Sequence, residues 1–102
     1  MTEFEMPRPL ARCPSHPGAL LADIIPATGR SKTAIAGLLG ISRQQLYDII
    51  NEKKPVSPAI AARLGKMFGD GAAVWLRMQA AHDAWRAERS VDVSAIPTLS
   101  AA

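Results

Sequence analysis

Apolar residues recur along the chain at spacings of three and four, the period of helices that bury one face, and rarely at the two-residue period of a strand. The pattern predicts five helices. The first covers residues 18–25, with Pro17 suited to its opening turn, Leu20, Leu21, Ile24 and Ile25 inward, and Pro26 as its stop. The second begins at Ser31, whose hydroxyl can accept a free backbone amide, and buries Ile35, Leu38 and Leu39 before Gly40. Ser42 with Gln45 three positions on has the form of a capping box and opens a third helix that continues to Ile50. Pro55 makes residues 51–56 a loop, because it offers no backbone donor and turns the preceding residue away from helix. Ser57 and Pro58 start a fourth helix with Ile60, Leu64, Met67 and Phe68 inward and Gly69 at its close. Asp70 or Gly71 caps a longer fifth helix that reaches Arg89, with Val74, Trp75, Met78, His82 and Trp85 along one side. The expected architecture is all-α: a five-helix domain over residues 16–89 between flexible tails at 1–15 and 90–102. In the second tail Val91, Val93, Ile96 and Leu99 are too few to form a core.

The second and third helices leave room only for a tight turn, as in a helix-turn-helix running from Ser31 to Ile50. Its steric requirements are met. Ala36 is small where the helices would cross, Gly40 can take the positive φ of the turn, and Ile41 and Leu46 can fill the space beneath. On the third helix, a step of about 100° per residue puts Leu46, Ile49 and Ile50 on the buried side and Gln44, Asp48 and Asn51 across from them. Tyr47 falls to one side and Arg43 projects from the first turn. Arginine can pair with guanine O6 and N7, glutamine with adenine N6 and N7, and aspartate can accept from cytosine N4. Arg43, Gln44 and Asp48 are therefore the expected base-reading residues, with Tyr47 against a thymine methyl or a phosphate. Gln45 is committed to the cap. Lys32 and Thr33 at the start of the second helix, and Asn51, Lys53 and Lys54 after the third, are the expected phosphate contacts. Arg63 and Lys66 read as ordinary surface.

Charge supports this placement. Between Arg30 and Lys66, seven bases face two acids, a net +5, while the rest of the chain is −2 and the whole +3. A basic middle between acidic flanks is what a localised phosphate-binding surface requires. A double-stranded DNA partner follows. Other chemistry finds little material. No apolar run is long enough for a membrane span, and the first fourteen residues, with Pro7, Pro9, Pro14, Glu3 and Glu5, lack the basic then apolar order of a signal peptide, so a cytoplasmic location is expected. Cys13 stands alone, His16 and His82 are far apart in the sequence, and no HExxH or CxxC spacing occurs. Neither catalysis, a metal nor a cofactor is expected, and each histidine reads as a cap or packing residue.

Several stretches in order now resemble one family. They are His16-Pro17-Gly18; Ala36 through Gly40-Ile41-Ser42-Arg43-Gln44; Ile49-Ile50-Asn51; Lys54-Pro55 with Ser57-Pro58; and Trp75-Leu76 with Gln79, Asp83 and Trp85. Over residues 16–87 the chain is similar to the HigA (VapI-like) antitoxins, a branch of the lambda-repressor-like, XRE-type helix-turn-helix proteins. The resemblance implies the repressor and antidote of a type II toxin-antitoxin module, which represses its own operon and neutralises a HigB-like, ribosome-dependent mRNA-cleaving toxin by direct binding. Glu52 stands where the family usually has glycine, Lys32 where glutamine is common, and Ala72-Ala73 where proline and an acid often open the last helix. A Cβ at position 52 costs about 1 kcal/mol or more if the backbone is left-handed there.

Three other readings compete: a stand-alone repressor without a toxin, an enzyme, and a protein-interaction module that has lost DNA binding. The +5 segment opposes the last, and a toxin-sized neighbouring gene separates the first from the antitoxin. A homodimer is expected, since one helix-turn-helix reads only a few base pairs. Its interface would be Trp75, Leu76, Met78, His82 and Trp85 on the fifth helix, where aromatic residues and methionine suit a contact surface.

Overall fold

The computed structural model describes residues 12–100; residues 1–11 of the expected N-terminal tail and 101–102 of the C-terminal one lie outside the described residues. The helices are α1 (Pro17–Ala27), α2 (Lys32–Leu39), α3 (Arg43–Ile50), α4 (Pro58–Phe68) and α5 (Ala72–Ser90). Among the described residues there is no strand, and no helix is long and apolar enough to cross a membrane. The fold is all-α, as the periodicity predicts.

The first four helices begin on side chains that accept an orphan amide. Ser31 Oγ accepts from Ala34 N–H at 3.1 Å, Ser57 Oγ from Ile60 N–H at 3.2 Å, and Ser42 and Gln45 form the reciprocal capping box at 3.0 and 2.8 Å. At α1 the acceptor is an imidazole: His16 Nδ1 takes the Gly18 N–H at 2.9 Å. Helix α5 starts at Gly71 without a side-chain cap; Asp70 instead accepts from Trp75 Nε1 at 2.9 Å.

Three expectations about burial and termini are corrected. Pro26 does not stop α1 but lies in its last turn. The bond its ring forfeits would have gone to Ala22, which is exposed, and Thr28 closes the helix with both its amide and hydroxyl on the Ile25 carbonyl, at 3.0 and 2.6 Å. Leu38 is 65% exposed rather than buried. Ile35, Ala36 and Leu39 fill the inward arc, and Leu38 lies about 100° beyond Leu39, outside it. Trp75, expected at a dimer interface, has no exposed surface and stacks at a tilt on Phe68, with ring centres 5.9 Å apart. Around it the core gathers Leu21, Ile25, Ile35, Leu39, Leu46, Ile49, Val56 and Leu64 from the other four helices and the loop after α3.

Two close backbone approaches set the helix arrangement. A Cβ on Gly18 would overlap the Ile49 carbonyl oxygen, so α1 rests directly on the last turn of α3. A Cβ on Gly65 would overlap the backbone at Gly71 and Ala72, which lets α5 leave α4 in a sharp turn. Gln79, buried in α5, donates to Asp83 at 3.0 Å and accepts from Val56 N–H at 2.8 Å, pinning the loop after α3 to α5.

His16 and His82, distant in sequence, meet edge to face with ring centres 5.1 Å apart. His82 Nδ1 lies 2.8 Å from the Pro14 carbonyl, to which it donates, and 3.4 Å from Cys13 Sγ. Cys13 and Pro14, counted with the tail in the sequence, are half-buried against α5. Among the described residues no group of three or more His, Cys, Asp or Glu is placed to hold a metal ion.

Two outcomes follow. Gly18→Ala must drive α1 off the Ile49 carbonyl, an overpacking strain of about 1–3 kcal/mol that a shift of the urea midpoint at unchanged slope will show. His16 has the second role. Burial holds its pKa below 6.5, helped by the neighbouring His82 and opposed by Glu52, Asp83 and a bond to the Lys54 backbone. The fold thus favours the neutral ring, so the stability its cap contributes is fully present above pH 6.5 and is lost as the pH falls from there through the lower folded-state value. The urea midpoint should drop as the pH is lowered past 6.5, and His16→Asn, a cap that does not titrate, should flatten the drop; equal pH dependence in both proteins would assign it elsewhere.

Candidate nucleic-acid interface

The turn between α2 and α3 is fixed from two sides. Gly40 adopts φ +75°, in the left-handed region that glycine enters without penalty, and its amide and that of Ile41 bond back to the Gly37 and Ala36 carbonyls at 3.2 and 3.1 Å. From α4, Arg63 donates to the Leu39 carbonyl at 2.8 Å and so satisfies an end-of-helix acceptor. Arg63 is therefore a brace of the turn, not the plain surface residue its sequence position suggests. Nothing local could have revealed a partner 24 residues away.

Helix α3 packs Leu46 and Ile49 inward and turns Arg43 and Gln44 to solvent, with Tyr47 and Asp48 half-buried at the edge of that face. All four expected base-reading residues thus share one side of the helix. They also contact one another. Gln44 Nε2 donates to Asp48 Oδ1 at 2.8 Å, an i to i+4 pair. The Tyr47 ring has Lys32 Nζ 5.7 Å and the Arg43 guanidinium 5.9 Å from its centre, within the range of cation–π attraction. Lys32 comes from α2, so Tyr47 ties the start of one helix to the middle of the other.

After α3 the chain winds back on itself. Asn51 closes the helix with its amide on the Tyr47 carbonyl at 2.9 Å, and Glu52 has φ +62°. The backbone amides of Lys53 and Lys54 both return to the Asp48 carbonyl, at 2.8 and 3.2 Å. Those amides are spent inside the protein, so a phosphate would be met by the exposed lysine side chains. Thr33 is exposed in the first turn of α2, beside half-buried Lys32. The expected phosphate residues therefore sit at the beginning and end of the helix-turn-helix, flanking the exposed side of α3.

On α5, Leu76, Met78 and Trp85 are half-buried, and the Arg89 guanidinium lies 3.8 Å from the centre of the Trp85 ring. His82, like Trp75, is buried within the subunit. The apolar stripe read from the sequence thus divides, with two members serving the domain itself and three keeping surface at its edge.

No family model matches the chain. It is similar to "Virulence-associated protein I" of Dichelobacter nodosus, 35% identical over 75 residues that cover 72% of this chain and 69% of that protein. It is also 31% identical, over 78% of this chain and 72% of the other, to the "Uncharacterized HTH-type transcriptional regulator YbaQ" of Escherichia coli. Among solved structures, Pseudomonas aeruginosa antitoxin HigA with the higBA promoter superposes with TM-score 0.75 at 27% identity, covering 86% of this chain and 97% of that one. Antitoxin GraA in complex with its operator gives TM-score 0.81 at 27% identity, over 95% and 100%.

The expected base-reading and phosphate-contacting roles predict different losses on substitution. On a duplex selected for tight binding, Arg43→Ala and Gln44→Ala should each cost about 1–3 kcal/mol while leaving random-duplex affinity nearly unchanged. Lys53→Ala and Lys54→Ala should weaken binding to every sequence and each reduce the salt slope by about one. Equal losses on both kinds of DNA for Arg43 or Gln44, or an unchanged salt slope for the lysines, would reverse the assignment of that residue.

Proposed function

Given that the chain belongs to the HigA- and VapI-like family of helix-turn-helix proteins, we propose that it is a sequence-specific DNA-binding antitoxin that represses its own operon. The observation that carries this is the presentation of α3. Its reading face is exposed, its first turn holds Arg43 and Gln44, and basic side chains flank it at both ends of the helix-turn-helix. Two neighbours with the same architecture have been solved on a promoter and on an operator. Repression follows physically, because a protein seated in the major groove of a promoter excludes whatever else must bind there. The second function is neutralisation of a HigB-like, mRNA-cleaving toxin by direct binding, which family membership supports. The likeness to an HTH-type regulator favours the alternative of a stand-alone repressor, with the same DNA-contacting residues and no toxin.

The working form we propose is a cytoplasmic homodimer. One α3 spans only a few base pairs, and pairing would place two of them about 34–36 Å apart on successive turns of the groove. Leu76, Met78 and Trp85 on α5 are the proposed contact, now without Trp75 and His82.

Co-expression with the adjacent gene, followed by purification and footprinting on the upstream DNA, tests the function. A small co-purifying protein and a protected upstream site are expected. Protection without a partner supports the stand-alone repressor, and no protection overturns both readings. Sedimentation tests the dimer: the wild type should exceed the 10.9 kDa of one chain and Leu76→Glu should fall toward it. A wild-type mass of 10.9 kDa would remove the dimer.

A further inference from the structure

Asp48 can accept from a cytosine, but in the free protein its carboxylate is already engaged with Gln44. We propose that Asp48 is a positioning residue that reads no base of its own: it fixes the Gln44 amide, so that the pair acts as one adenine-specific reader. The inference rests on the DNA-binding function proposed above.

Donor and acceptor counts at the two side chains dictate this role. A glutamine amide has two N–H groups on Nε2 and an acceptor at Oε1, and it can turn over to exchange them. A carboxylate only accepts, so the end of Gln44 that lies 2.8 Å from Asp48 Oδ1 is the nitrogen. The turned-over amide would set oxygen against oxygen. With one N–H held by Asp48, the amide has one N–H and one carbonyl left for DNA. That remainder complements adenine, which offers an acceptor at N7 and a donor at N6. It does not complement guanine, whose N7 and O6 both accept; an unrestrained glutamine could give both N–H groups to those two atoms, and the held one cannot. The carboxylate thereby excludes guanine without touching it.

The position of Asp48 fits this role. It is half-buried while Gln44 is exposed, one turn nearer the helix start. Its backbone carbonyl receives the amides of Lys53 and Lys54, so the residue is held by the loop that follows α3. An acidic side chain beside phosphates also repels DNA of any sequence; a supporting role for Gln44 explains what its presence adds in return.

The test is a double-mutant cycle read as base preference. Selection from a randomised duplex pool with the wild type and with Gln44→Ala identifies the base pair whose preference depends on Gln44. Affinities for adenine and guanine at that pair are then measured for the wild type, Asp48→Ala, Asp48→Asn, Gln44→Ala and the Gln44→Ala, Asp48→Ala double variant. Their ratio cancels any general gain from losing a negative charge. Asp48→Ala should reduce the adenine preference about 5- to 10-fold at that pair and leave the other pairs alone. Asp48→Asn, whose amide can donate to the Gln44 oxygen as readily as it accepts from the nitrogen, no longer fixes which way Gln44 lies and should lower the preference as well, though less than Asp48→Ala, and Asp48→Ala should add nothing in the Gln44→Ala background. Effects that multiply, or a changed preference at a different pair, would show that Asp48 reads its own base and would overturn the inference while leaving the DNA-binding function intact. A wild type that selects no sequence would overturn the function itself and the inference with it.

Discussion

Helix α1 meets the last turn of α3 at a distance that only glycine permits, and the use of α3 as a recognition element depends on that contact. A recognition helix has to expose one face completely, so it can be held only from the other face and from its ends. Leu46 and Ile49 supply the face. At the C-terminal end Gly18 lies against the Ile49 carbonyl, and at the N-terminal end the capping box fixes the first turn. The approach at Gly18 is in turn set by its neighbours. His16 accepts the Gly18 amide and Pro17 occupies the first helical position, so α1 begins in one conformation at the place where it touches α3. Three consecutive residues therefore determine how an element about thirty positions later is presented.

The loop after α3 is held more elaborately than its exposure suggests. Gln79 reaches it from α5 through Val56, the Asp48 carbonyl takes two of its amides, and Glu52 turns the chain in a left-handed conformation. A non-glycine residue there costs about 1–2 kcal/mol, which the surrounding bonds must offset. The outcome is that Lys53 and Lys54 leave a fixed backbone with only their side chains free. Electrostatics and packing then work at separate sites: the lysine side chains after α3 are exposed, while the outward side of α3 is held by Leu46 and Ile49 beneath it.

Much of this was legible in the sequence, and the part that was not has a common cause. Caps and turns depend on residues three or four apart, so Ser31, Ser42 with Gln45, Ser57 and Gly40 could be read directly. The buried stripe of α3 also follows from local periodicity, which placed Arg43, Gln44, Tyr47 and Asp48 on one side. Long-range partners leave no such signal. Arg63 bracing the α2 carbonyl, Gln79 holding the loop, and His16 meeting His82 beside Cys13 depend on how helices cross. Leu38 shows the limit of periodicity itself, since α2 is eight residues long and a leucine one step outside a 100° arc looks much like one inside it. On α5 the spacing marks a largely apolar stripe, but a single sequence does not tell which of its members close the domain's own core, and Trp75 does so entirely.

The central claim is that the exposed side of α3, flanked by the start of α2 and the loop after α3, is the surface that meets DNA in the form already present in the free protein. Titration of the 15N-labelled protein with its upstream duplex, followed by amide chemical shifts, tests this most directly. The account predicts changes concentrated at residues 31–33, 42–48 and 51–54, with the core amides of α1 and α4 nearly still. Changes centred on α4 or α5, or a general rearrangement of α1 against α3, would contradict it.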